Sequence, residues 1–129
     1  MLNDPLAAAL SKTLNAETKN KKEVLIKPVS KMIKTILLIM NENNYIGSFE
    51  ENKDGKGNFL KVNLLGNINR CGVIKPRFST TKDEFEKWEK RYLPAKDMGI
   101  IIISTPNGIM THYQAKEKKI GGKLLAYCY

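Results

Sequence analysis

Leu6, Leu10 and Leu14 recur every fourth residue, with Ala7 and Ala9 small enough for close packing, so the stretch after Asp4 predicts an amphipathic helix. Asp4 suits an N-cap and Pro5 the first helical position. The apolar face is expected to end after Leu14, where residues 15–20 turn polar. Residues 23–27 (EVLIK) read as a strand that Pro28 stops. Ser30 then offers an N-cap for a second helix. That helix turns Met32, Ile33, Ile36, Leu37 and Met40 inward and Lys31 and Lys34 outward, and ends at Asn43 and Asn44. Residues 45–50 and 59–65 are expected to pair as a hairpin around the Gly- and Asn-rich stretch 52–58.

The second half has a different rhythm. Gly66 and Gly72 are expected to bracket a hinge, and residues 72–78 to be extended, because the residue before Pro76 is driven out of helical space. Phe85, Trp88 and Tyr92 are spaced for one or two helical turns in the otherwise charged stretch 82–91. Ile100 to Ile103 are β-branched without interruption, the pattern of a strand buried on both faces. Thr111 with Gln114 three residues on predicts a capping box, and Gly121 is expected to end the helix it opens. Residues 123–129 read as a last strand. The expected fold class is α+β. Residues 1–66 form an α/β half with two helices on a three-stranded sheet, and residues 67–129 a mostly β half with a short helix.

Composition adds a partner class. The net charge is +9 over 129 residues, a polyanion-binding balance. It is uneven: residues 1–66 carry ten Lys/Arg against seven Asp/Glu, a net +3, and residues 67–129 carry twelve against six, a net +6. No apolar run nears the roughly 20 residues of a membrane span, and the N-terminus reads as an amphipathic helix rather than a leader. Cys71 and Cys128 lack metal-ligand spacing and are expected as buried, reduced thiols of a cytoplasmic protein.

The chemistry of catalysis finds no support. His112 is the single histidine and follows a helix cap, where a solvated or RNA-facing ring is expected rather than a general base. The carboxylates form no isolated pair, and there is no phosphate-binding glycine loop and no metal motif, so no enzyme, cofactor or metal is expected. Recognition of RNA fits better. Ser104 and Thr105 leave a rigid strand into a sharp turn at Pro106, Asn107 and Gly108, where hydroxyls and an amide can meet base edges or the 2′-OH. The same residues also simply favour a turn. Lys116, Lys118, Lys119 and Lys123 follow as a solvated run or as phosphate ligands. The aromatic residues are few and do not alternate with basic ones along the chain, which argues against a single-strand stacking platform.

Residues 104–111 (STPNGIMT) and 121–127 (GGKLLAY) closely resemble the C-terminal signature of the family of the eighth protein of the small ribosomal subunit. Residues 4–7 with Asn15 and Ala16 are similar to its N-terminal signature, residues 27–31 to the segment before its second helix, and residues 72–98 to its archaeal and eukaryotic branch. The resemblance implies a two-domain structural protein that binds the central domain of small-subunit rRNA early in assembly. It would remain in the cytoplasmic ribosome as a monomer beside neighbouring small-subunit proteins. Repression of its own message is the alternative role that bacterial members imply. By the same resemblance Ser104 and Thr105 contact RNA, with Gly108, Gly122 and Lys123 bordering that face and Asn15, Ser30 and Lys31 on sugar and phosphate. Pro106 stands where a third serine is usual, and Asn107 where bacterial members often have lysine, so Asn107 takes over polar readout.

Overall fold

A computed structural model describes residues 5–27, 30–54, 57–75, 77–95 and 98–129. The chain divides between Arg70 and Cys71 into two compact units. The expected caps and stops at Asp4, Pro28 and Pro76 lie outside the described residues.

In the first unit α1 (Pro5–Thr18), β1 (Glu23–Ile26), α2 (Lys31–Glu42), β2 (Ile46–Asp54) and β3 (Gly57–Leu64) follow one another. The antiparallel sheet has the order β1-β3-β2. Strand alternation sets its buried face, since Val24 and Ile26 are covered while Glu23 and Leu25 are exposed. Ile33, Ile36, Leu37, Ile39 and Met40 of α2 are buried, and each large apolar side chain so removed from water contributes on the order of 1.5–3 kcal/mol. The buried side of α1 runs past Leu14 to Ala16 and Glu17. Thr13 sustains it by donating its hydroxyl to Ala9 O at 2.8 Å, which lets a polar residue be fully buried. The hairpin strands reach further into the polar stretch than the apolar pattern predicts, to the pair Asp54↔Gly57. Cross-strand hydrogen bonds do not require apolar side chains.

The second unit contains β4 (Cys71–Val73), β5 (Ser79–Thr80), α3 (Phe85–Tyr92), β6 (Ile100–Thr105), β7 (Gly108–Thr111), α4 (His112–Lys118) and β8 (Gly122–Cys128). The sheet order is β4-β8-β6-β7, with β5 also paired to β8. Ile101, Ile103, Met110 and Leu124 join Phe85 and Trp88 of α3 and Ala115 of α4 in one core, so both helices lie on the same sheet face. Ile100 and Ile102, projecting to the other face, are buried as well. Cys71 and Cys128 stand opposite each other across β4 and β8, both buried as thiols.

The division between Arg70 and Cys71 falls within the stretch that Gly66 and Gly72 bracket, with Gly72 itself a residue of β4. One local expectation about glycine is corrected. Lys119, not Gly121, terminates α4: it takes the left-handed conformation at φ 56°. The glycines after it serve a close approach instead, since a Cβ on Gly121 would lie 2.2 Å from Thr80 O and one on Gly122 2.2 Å from Ser104 O.

Candidate nucleic-acid interface

The predicted turn is a two-residue hairpin connection. Thr105 pairs with Gly108, leaving Pro106 and Asn107 exposed at the tip, and Gly108 takes φ 115°, a value closed to most side chains. The Thr105 hydroxyl closes the loop from within: it donates to Gly108 O at 2.7 Å and accepts the Asn107 backbone N–H at 3.2 Å. Thr105 is therefore buried as the frame of the turn, and its hydroxyl proton is committed there. Pro106, lacking an N–H, leaves the Asn107 amide and the backbone carbonyls as the polar groups at the tip.

Register places a second group beside this turn. Ser104 is opposite Lys123 on one side and Ile109 on the other, and Lys123 is also opposite Ser79. Residues directly opposite in neighbouring strands project to the same face. Ser79, Lys123 and Ser104 thus form a polar row across β5, β8 and β6. The row is on the face opposite α3 and α4, because the alternate residues Ile103 and Leu124 enter the helix-bearing core. Gly122 permits the row: its missing side chain lets β8 lie against the Ser104 carbonyl. Ser79 was absent from the expected site, and only strand register could have found it.

His112 contradicts its expected exposure. Its ring is fully buried, and Nδ1 accepts the Ile101 N–H at 3.0 Å, which leaves the ring proton on Nε2. Nε2 is 3.2 Å from the Glu89 carboxylate but has no aligned hydrogen-bond partner among the described residues. Burial lowers the pKa of His112 to about 4, with Glu89 opposing and Lys116 adding to the shift. The imidazole is neutral at pH 7 and fastens α4 to β6. Lys116 is also engaged, in an ion pair with Glu89 of α3. Lys123, in the polar row, and Lys118 and Lys119, at the end of α4, are exposed cations.

In the first unit the expected contacts fall on separate elements. Ser30 caps α2, its Oγ accepting the Ile33 N–H at 3.2 Å, and Lys31 is the exposed first residue of that helix. Asn15 lines an open cleft of about 470 Å³ together with Lys12, Lys19, Lys21, Glu23 and Leu25. Lys12 and Asn15 of α1 and Lys19, the first residue after it, are spaced i, i+3 and i+7, so helical periodicity could have grouped them. Lys12 was not among the expected contacts.

The geometry offers exposed cations and a rigid polar turn, and among the described residues there is no cluster of metal-ligating side chains. A family model described as Ribosomal protein S8 matches residues 4–129. The chain belongs to the ribosomal protein S8 family. Members are structural RNA-binding proteins, and membership makes this chain a ribosomal protein that binds rRNA. No helix among the described residues is long and apolar enough to cross a membrane.

Proposed function

We propose that the chain binds the central domain of small-subunit rRNA early in assembly and stays as a structural constituent beside neighbouring small-subunit proteins. The observation that carries this reading is the polar row Ser79–Lys123–Ser104 next to the closed turn at Thr105–Gly108. Ser104 and the Asn107 amide read bases and sugars, while Gly108 and Gly122 let the backbone come close. Lys123, Lys118 and Lys119 take phosphates. Asn15, Ser30 and Lys31 add sugar–phosphate contacts from the first unit, with Lys12, Lys19 and Lys21 beside Asn15. The segment 72–98, which includes α3, supports placement in the archaeal and eukaryotic branch.

Neutralising roughly six phosphates gives a slope of log K against log salt on the order of −4 to −5. Footprinting on full-length small-subunit rRNA, combined with a salt titration, tests the reading. Protection confined to one central-domain helix and a slope in that range are expected. A flat salt dependence or protection scattered over several domains would overturn it.

A further inference from the structure

The aromatic side chains of the second unit are dispersed in sequence but assembled in space. Phe78 and Trp88 have ring centroids 5.0 Å apart, Trp88 and Tyr92 6.4 Å, Tyr92 and Tyr127 5.6 Å, and Tyr127 and Tyr129 6.2 Å. Successive planes differ by only 22–29°, so the five rings form one offset, tiled row. Trp88 is buried within it, and the other four rings are partly exposed. Tyr127 is opposite Gly72, where a Cβ would sit 3.2 Å from the tyrosine oxygen, so glycine gives that ring its place.

Cations accompany the row. The Arg91 guanidinium lies 5.2 Å from the Phe78 centroid, 5.7 Å from Trp88 and 5.6 Å from Tyr92, and Lys87 lies 4.9 Å from Trp88. Arg77 is exposed next to Phe78. α3 sorts its charges by helical position: Glu89 turns to Lys116 and His112 of α4, whereas Lys87 and Arg91 flank the rings. This row packs on the helix-bearing face, opposite the Ser79–Lys123–Ser104 row.

We propose that the row is a second RNA surface, for unpaired nucleotides. Bases stack on the exposed parts of Tyr92, Tyr127 and Tyr129, and Arg91, Lys87 and Arg77 hold the intervening phosphates. The positive charge beside the rings favours a polyanion with planar bases over an apolar protein surface. The inference rests on the RNA-binding reading and adds a second, chemically different contact to it: single-stranded RNA on one sheet face, structured rRNA on the other.

The test uses the full chain, an oligouridylate of about twelve nucleotides and a blunt RNA duplex of the same length. Trp88 is the single tryptophan, so its emission reports on the row. Oligouridylate should change that emission, and Tyr127→Leu with Arg91→Gln should weaken its binding about tenfold, with Tyr127→Phe restoring it. Duplex binding should be unchanged by these variants. Arg91→Gln alone alters an exposed side chain and keeps the test open if Tyr127→Leu does not fold. Oligouridylate binding that is absent, or unchanged in the variants, overturns the inference while duplex and rRNA binding leave the first reading standing. Loss of binding to a purified small-subunit protein, with oligouridylate binding intact, would overturn it in favour of a protein contact. Failure of the wild type to bind rRNA at all would overturn the functional reading itself.

Discussion

Gly122→Ala should injure fold and RNA binding together. A Cβ at this position would stand 2.2 Å from Ser104 O, 2.9 Å from Ser104 C and 3.2 Å from Thr105 Cα. All three are backbone atoms of a paired strand, so no side-chain rotation relieves the clash. β8 must move away from β6, which weakens pairing at Ser104↔Lys123. Overpacking of this kind costs about 1–3 kcal/mol, and a damaged hydrogen bond adds about 1 kcal/mol. A loss of roughly 2–4 kcal/mol lowers the melting temperature by about 10 °C or more. Gly66→Ala is the control: Gly66 has φ 78°, but nothing lies within 4 Å of a Cβ placed there, so it bears only the conformational cost of about 1–2 kcal/mol. Thermal unfolding by circular dichroism and rRNA-fragment binding below the transition would be measured for both variants. If Gly122→Ala melts like Gly66→Ala and binds RNA like the wild type, the close-approach reasoning is wrong.

Stability should also depend on pH through His112. Its pKa is about 4 in the folded chain against 6.5 ordinarily, so between these values the unfolded chain binds more protons. The neutral ring's contribution is complete above pH 6.5 and is lost as pH falls toward 4, an effect of about 3 kcal/mol. Urea unfolding across that window should show a shallower pH dependence in His112→Gln, and an identical slope would refute the assignment. Thr105→Val removes the hydroxyl that serves both Gly108 and Asn107, and should cost about 1–3 kcal/mol in chemical denaturation, with Thr105→Ser milder. Equal stability of Thr105→Val and wild type would show that the turn does not need those bonds.

Much of the architecture was legible because it depends on local rules. The cap at Ser30, the capping box of Thr111 and Gln114, and the strand of four isoleucines from Ile100 all follow from near neighbours and periodicity. The turn at Pro106 and Asn107 was equally readable from its residue types. Chemistry at a distance was not. Nothing near His112 in sequence announces Ile101 and Glu89, whose positions bury the ring and keep it neutral. Gly121 reads in the sequence as a helix stop, yet the strands brought against it and Gly122 by the sheet explain the absence of side chains.

The residues that meet across the sheet mark the division most clearly. Sequence determined the elements, the basic balance and the polar turn, because hydrogen-bonding propensity, charge and side-chain period belong to short stretches of chain. Tertiary structure decided that Ser79 joins Ser104 and Lys123, that Lys116 is held by Glu89, and that Phe78, Trp88, Tyr92, Tyr127 and Tyr129 become one row. Those contacts depend on strand order and register, which bring together residues up to about fifty positions apart, and no local pattern encodes them.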